Sequence, residues 1–415
     1  MSAPLTATHL QRRSSPKLQV GCASMQGWRA EHEDAHILQP VWDSDWSLFA
    51  VCDGHAGDRA ASFVAKSLPD LLKANSDASR SSADITAAFL ACDAEYRKEK
   101  NNADGTTVCA ALIRESSSGD FEVRVANCGD SRCLVISGGC LSKELSSNLS
   151  EKVSDSTSTE AVGLLLETSD HKPDAPGEKA RIEECGGFVS SDDPARLDGV
   201  IAVSRVIGDF QYKADDTRPQ TDQKMLAVPD IYTAHAKSGD LVVLACDGLF
   251  ESMNSVELTR QVVARLNPDS DLAAVAHEVV KMSLNWDSKD NMTLMIVRLG
   301  GERGSQTAES AGAPPGATPG ASPGASAPIH SSESMPTEEE LILGDFGTRP
   351  EHKEKYETFF RKSGFPTQPF PCEVCHRIYR SMSQCPCRAA VYCGVVCQKT
   401  GWKDHKKSCS VKKKK

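Results

Sequence analysis

An α+β fold, built on a central antiparallel β-sandwich flanked by helices and followed by a small cysteine-rich module, is what this 415-residue sequence predicts. Three observations carry that expectation. Short apolar, β-branched runs recur through the first 300 residues, each bounded by Gly, Asp or Asn. Neighbouring runs are joined by tight Gly-Asp turns such as NCGDSR, which favour antiparallel hairpins. Between them lie stretches with apolar residues at helical spacing, which must cover the faces of the sheets.

The strand-like runs are, in order, WSLFAVCD (46–53), TTVCAALI (106–113), FEVRVANCGD (121–130), DSRCLVIS (130–137), GVIAVSRV (199–206), DLVVLACD (240–247) and NMTLMIVRL (291–299). Helix spacing appears at Phe63, Val64, Leu68, Leu71 and Leu72, again at Ile85, Phe89, Cys92 and Tyr96, and later at Val275, Val279 and Met282. Residues 1–16 read as a disordered N-terminus and 17–300 as one domain. A Ser-rich insertion at about 141–166 is weakly periodic and reads as an exposed, mobile loop. Residues 301–336 are rich in Gly, Ala, Pro and Ser and form a flexible linker. A short charged segment follows at 337–371, in which EHKEKYETFFRKSG reads as a helix. The cysteine-rich module spans 372–409, and 410–415 is a basic tail.

Bulk properties narrow the function. The net charge of −10 argues against a general nucleic-acid binder, so nucleic acid is disfavoured as a partner. No run of about 18 apolar residues is present, so no membrane association is expected. The first residues lack an apolar core and Met1 is not followed by Gly, which argues against a signal peptide or a myristoyl anchor. Nine of the sixteen cysteines are scattered through the first 250 residues, several inside strand-like runs, as small buried hydrophobes would be. A reducing address, cytoplasmic or nuclear, is expected.

The placement of carboxylates carries the chemistry. Asp53 ends the strand of FAVCDGHAG, Asp247 ends that of VVLACDGLFE, and Asp290 opens the last strand in DNMT. Glu33 and Asp34 close GWRAEHED, and Asp130 sits in the turn NCGDSR. A single Asp-Gly after a strand is an ordinary turn. Several such acids gathered together would repel one another and raise one another's pKa. Divalent cations relieve that repulsion, and an all-oxygen donor set selects Mg²⁺ or Mn²⁺ over zinc.

The motifs GWRAEHEDAH, FAVCDGHAG, GTT, VANCGDSR, DHKP, AVSRVIGDFQYK, VVLACDGLFE and DNMT occur in the order found in the metal-dependent type 2C protein phosphatases, and the resemblance covers nearly all of residues 20–299. It implies a sandwich with a two-metal site (two Mn²⁺ or Mg²⁺, with a third possible) at one end. It further implies that Asp53 bridges both ions, that Gly54 lends its carbonyl, and that Glu33 completes one ion. Asp247 and Asp290 would hold the other, Asp130 a weaker third, and Asp34 would act through water. Arg29 resembles the phosphate-binding arginine and His55 the general acid, while Arg196 in RLDG aligns with a substrate-facing flap. A two-metal site activates water for in-line attack on phosphorus, and a guanidinium fork suits two phosphoryl oxygens. Phosphorylated proteins are the implied substrates. Cys-x5-Arg, GDxHG and GxxxxGK[ST] are all absent, which sets other phosphoryl chemistries aside. The same fold acting on small phosphoesters, or an interaction protein with a silent site, remain the alternatives.

From Cys372 the chain reads C-x2-C, C-x-C, C-x3-C and H-x3-C, giving Cys372, Cys375, Cys385, Cys387, Cys393, Cys397, His405 and Cys409. Eight such ligands suffice for two tetrahedral Zn²⁺ ions, and so short a segment must draw its folding free energy from them. The pattern resembles the MYND-type zinc finger. That resemblance implies interleaved sites, Cys372, Cys375, Cys393 and Cys397 on one zinc and Cys385, Cys387, His405 and Cys409 on the other. It also implies recruitment of protein partners, including proline-containing peptides. Cys385-Pro-Cys387 is one residue shorter than the usual C-x2-C, which predicts a distorted second site.

Overall fold

The computed structural model describes residues 4–74, 80–138, 163–267, 269–300, 338–343 and, between 378 and 409, residues 378–379, 383–385, 387, 390–392 and 395–409. Its first half runs β1 (Leu5–Ser14), β2 (Leu18–Gly27), β3 (Ala35–Asp43), β4 (Trp46–Cys52), β5 (Gly54–His55), α1 (Arg59–Ala74), α2 (Ser82–Tyr96), β6 (Gly105–Thr106), β7 (Val108–Glu115), β8 (Phe121–Cys128) and β9 (Arg132–Ile136). There follow β10 (Leu164–Glu167), α3 (Pro176–Glu184), β11 (Ile207–Gly208), β12 (Asp230–Ala236), β13 (Leu241–Ala245), α4 (Asp247–Phe250), α5 (Ser255–Val263), α6 (Leu272–Asn285) and β14 (Met292–Leu299). Beyond the linker come β15 (Glu338–Leu343), β16 (Ile378–Tyr379), β17 (Ser383–Gln384), β18 (Val391–Tyr392) and α7 (Val395–Ser408).

Two antiparallel sheets face each other. One has the order β10-β9-β13-β14-β2-β1-β15-β16 and the other β12-β8-β7-β4-β3. Their facing residues, among them Phe49, Val125, Leu134, Val243 and Ile296, are fully buried and continue into the underside of α5 and α6. A second apolar cluster seals α1 and α2 onto the other sheet through Val64, Leu68, Leu72, Ile85, Phe89 and Leu48. Each large side chain so buried contributes roughly 1.5–3 kcal/mol, so the covering helices follow from the apolar stripes that the sequence displays. A Ser81–Asp84 capping box starts α2, and Asn254 and Asp271 cap α5 and α6 through their side chains. The expected α+β sandwich is therefore the fold observed.

Four expectations are corrected. The N-terminal residues assigned to disorder form β1, paired with β2 on one side and β15 on the other. Leu5, Ala7 and Leu10 point into the core, and the buried Arg12 guanidinium grips Asp271 with two bonds of 2.8 and 2.6 Å. The alternation is thin and broken by a bulge between Leu5 and Thr8, which hid the strand. Part of the charged segment at 337–371 is also a strand, since Glu338–Leu343 adds to the β1 edge with Thr8 opposite Leu343 and Arg13 opposite Glu338. The last residues of the Ser-rich insertion form β10 against β9. Conversely, GVIAVSRV makes only isolated bridges, because Asp198 and Gly199 both adopt positive φ and turn the chain back on itself. Its Val203 and Val206 pack with Ile182, Leu197 and Met225 as a small separate cluster. The linker at 301–336, the expected helix at 351–364 and the basic tail lie outside the described residues, as does most of the Ser-rich insertion.

Candidate active site and metal centres

Strand register brings the carboxylates together. Cys52 stands opposite Ala35, Val108 opposite Cys128, Ala245 opposite both Arg132 and Leu294, and Met292 opposite Met25. The end of β4, the start of β3, the β8–β9 turn, the end of β13 and the start of β14 therefore share one end of the sandwich. Asp53, Glu33 and Asp34, Asp130, Asp247 and Asp290 occupy those positions.

Neighbouring polar groups hold each acid in place. The loop carrying Arg29, Glu33 and Asp34 is pinned by Asn291, whose Nδ2 donates to the carbonyls of Gln26 and Glu31 at 2.9 and 3.0 Å while its Oδ1 accepts from the Glu33 amide at 2.9 Å. Gln26 adds two bonds of 3.0 Å to the carbonyls of Arg29 and Ala30. The GTT motif braces Asp53: the Thr107 amide and the Thr106 hydroxyl donate to its carbonyl at 2.9 and 3.0 Å. The DHKP motif braces Asp130, because His171 Nδ1 accepts the Gly129 amide at 3.0 Å and Lys172 Nζ lies 2.5 Å from Asp130 Oδ2. A hydroxyl chain supports Asp34, with Thr293 donating to its Oδ2 at 2.6 Å and Ser24 lying 2.9 Å from Thr293. Gly54 lies so close to Glu33 that a Cβ would stand 2.4 Å from the Glu33 carbonyl oxygen, so only glycine fits.

The electrostatics are those of a crowded anionic site. Burial raises the carboxyl of Asp34 to about 7, helped by the charges of Asp290 and Asp247 and opposed by the Thr293 hydroxyl. Burial and then the charge of Asp34 push Asp53 well above the usual carboxylate range, and burial and then the charge of Asp53 do the same to Asp247. Burial also raises Glu33. Arg29 pairs with Asp290 at the rim and Lys172 with Asp130, but among the described residues no Lys or Arg pairs with Asp34, Asp53 or Asp247. Asp34 Oδ1 and Asp247 Oδ1 are buried without a hydrogen-bond partner. Orphaned carboxylate oxygens in an all-oxygen donor set fit hard divalent cations. The Cys246 sulfur lies among them, within 4.8 Å of Asp34 and Asp53 donor oxygens. Burial raises that thiol well above its ordinary range.

His55 lies beside the cluster with Nε2 2.5 Å from Asp209 Oδ2. Burial works to lower its pKa, yet the hydrogen bond and charge of Asp209 outweigh burial and raise it. Arg196 lies in the excursion after α3, where its Nη1 donates to the Val200 carbonyl at 2.7 Å.

A second cluster lies in the C-terminal module. The donor atoms of Cys385, Cys387, His405 and Cys409 fall within 4.8 Å of one another. Cys385 Sγ is 3.8 Å from Cys409 Sγ and Cys387 Sγ is 3.1 Å from His405 Nε2. Zn–S bonds of about 2.3 Å in a tetrahedron place two sulfurs about 3.8 Å apart, so this set fits zinc despite its short C-x-C spacing. Of the other set, Cys372, Cys375 and Cys393 lie outside the described residues, and Cys397 is placed only as a residue of α7.

A sequence model of the protein phosphatase 2C family matches residues 18–292. The chain belongs to the protein phosphatase 2C family. A MYND finger model matches residues 372–409. Protein phosphatase 1B of Homo sapiens is 33% identical over 321 residues, covering 72% of this chain and 60% of that relative. The same protein of Rattus norvegicus is also 33% identical, with 74% of its length covered, and protein phosphatase 1A of Bos taurus is 33% identical over 316 residues, with 75% covered. The match thus spans less than two thirds of the human relative. Among solved structures, a phosphatase from a pathogenic strain of Toxoplasma gondii shares 27% identity at a TM-score of 0.60, covering 70% of this chain and 96% of that one. A serine-threonine phosphatase 2C from Toxoplasma gondii shares the fold, with 20% identity and a TM-score of 0.53 over 71% of this chain and 99% of that one. Phosphatase 2C membership makes this chain one of a family of metal-dependent serine/threonine phosphatases, joined here to a zinc-finger module.

Sequence reasoning singled out the acids but not their supports. Asn291, Thr106, Thr107, His171, Lys172 and Asp209 all lie inside quoted motifs, yet spacing alone assigns them no partner across up to 265 residues of chain.

Proposed function

We propose that this phosphatase 2C chain hydrolyses phosphoserine and phosphothreonine in proteins with two bound Mn²⁺ or Mg²⁺ ions, and that its finger recruits protein partners. The observation that carries the reading is the convergence of six acids at one sandwich end, with carboxylate oxygens left unpartnered. Asp53, the Gly54 carbonyl, Glu33, Asp247 and Asp290 would hold the two ions. Asp34 would act through water, and Asp130, paired with Lys172, would serve a third and weaker ion. Bound there, the ions supply a water activated near neutral pH and neutralise charge on the phosphoryl group.

The chain's own groups do the rest. Arg29 keeps about half its side chain exposed at the rim and presents a planar fork to two phosphoryl oxygens. His55 protonates the departing serine or threonine oxygen. Arg196 contacts the substrate from the flap. The zinc-held module, on its linker, raises the local concentration of partners, with proline-containing peptides the favoured class and nucleic acid disfavoured. The cytoplasm or nucleus is the proposed compartment.

Phosphate release from a phosphothreonine peptide tests this reading. Purified chain with Mn²⁺ or Mg²⁺ is expected to turn over, to stop with EDTA, and to prefer the peptide to a panel of small phosphoesters. Properly folded, metal-loaded protein that releases no phosphate from any peptide would contradict it.

A further inference from the structure

The tail of the motif AVSRVIGDFQYK has no part in the reading above, yet the fold invests heavily in it. Gly208 pairs with Gly105 on β6, and Gly105 pairs in turn with His55 on β5. Asp209 follows immediately, and its side chain reaches across β6 to His55 Nε2. The crossing needs the glycine between them. A Cβ on Gly105 would stand 2.5 Å from Asp209 Oδ2 and 2.7 Å from His55 Nε2.

Asp209 is held there against its own preference. Its backbone is left-handed, at φ 50° and ψ 46°, a region that costs a non-glycine residue about 1 kcal/mol or more. Its amide donates to the Asp104 carbonyl at 3.1 Å. The preceding Gly208 amide donates to Asp93 Oδ1 at 2.9 Å, and Lys213 Nζ donates to the same oxygen and to the Val206 carbonyl, each at 2.7 Å. Both Asp93 and Lys213 are almost fully buried, so this ion pair clamps the turn from beneath. The Asp209 side chain is only 4% exposed and faces the ring.

We propose that Asp209 is the positioning residue for His55, fixing a proton on Nε2 so that Nδ1 is the nitrogen that exchanges a proton with the leaving oxygen. This rests on the general-acid role given to His55 above. As the P–O bond breaks, the imidazolium passes its Nδ1 proton to the departing oxygen and becomes a neutral ring that keeps its Nε2–H toward Asp209, and solvent then returns a proton to Nδ1. A histidine whose second nitrogen is anchored by a carboxylate keeps its orientation and tautomer, and loses both when that carboxylate becomes an amide.

Two variants test the assignment on the intact Mg²⁺-loaded chain. Asp209→Asn removes the anion, and Gly105→Ala blocks the crossing with Asp209 in place. Turnover is compared on a phosphothreonine peptide, whose leaving oxygen needs a proton, and on p-nitrophenyl phosphate, whose leaving group departs as an anion. General-acid effects are about 10²–10⁴-fold. Each variant is therefore expected to lower the peptide-to-aryl rate ratio at least about tenfold. Asp209→Asn should add nothing further to His55→Gln. Equal losses on both substrates, or a loss additive to that of His55→Gln, would overturn the proposal. Imidazole ¹⁵N spectra, with His55 identified by its absence in His55→Gln, read the ring without any turnover. Wild-type protein should show Nε2 protonated, and unchanged His55 signals in Asp209→Asn would overturn the proposal even if no phosphatase activity existed.

Discussion

The two donor clusters of this chain are organised in opposite ways. The acidic cluster sits at the end of two sheets whose core is complete without it, and the fold forces its carboxylates together. The Cys/His cluster rests on short strands and one helix, where Ala390, Val391 and Tyr392 are the buried apolar residues among those described. In the first region the fold organises the ligands against their own repulsion. In the second the metal must organise the fold. Cation removal should therefore silence one region and unfold the other.

The largest expected effect follows for the finger. Structural zinc in such modules contributes on the order of 10–16 kcal/mol of folding free energy. Cys387→Ala should thus abolish the order of α7, read as loss of amide protection there, while the phosphatase transition in calorimetry stays within about 1 °C. A finger that keeps its protection without Cys387 would break the comparison.

Next comes Asp53→Asn, which sharpens it from the other side. Turnover should fall by about a thousandfold or more, since the residue proposed to hold both ions is lost. Without metal the variant should melt higher than wild type, by a few degrees, because one buried charge is gone from the crowd. A lower melting temperature would mean that Asp53 supports the fold rather than burdening it.

A pH effect of intermediate size follows from Asp34. Its carboxyl is raised from 3.8 to about 7, so the folded chain holds that proton more tightly than the unfolded chain. The stability it lends is complete below about pH 4 and is lost as pH rises through about 7. Metal-free protein should accordingly lose stability across that window, and saturating Mg²⁺ should flatten the slope. A metal-free profile that rises over the same range would contradict the assignment.

The smallest effect is expected at β15. Deleting residues 338–343 removes β15, and with it the pairing of β16, from a sheet that stays paired through β1 and β2. The phosphatase domain should lose only about 1–2 kcal/mol, and the β1 amides, read by hydrogen exchange, should lose protection along the freed edge.

How far the sequence carried these regions differs for the same reason. Asp53, Asp247 and Asp290 were legible because each ends or opens a strand of unmistakable apolar run, and the module's ligands because cysteine spacing is itself a signal. Strand β1 was not legible, since its alternation is broken by a bulge and one of its partners lies some 330 residues away. Nor was the Asp209 role, which depends on a glycine that leaves room for two side chains to meet across a strand. The C-x-C spacing suggested distortion at a site where Cys385 Sγ stands 3.8 Å from Cys409 Sγ and Cys387 Sγ 3.1 Å from His405 Nε2.

Mn²⁺ binding, followed by electron paramagnetic resonance on the full chain at neutral pH, tests the central claim most directly. The account predicts that wild-type protein takes up Mn²⁺ at the acidic cluster and that Asp53→Asn loses that uptake while Cys387→Ala retains it. Equal Mn²⁺ binding by wild type and Asp53→Asn, or none by either, would contradict it.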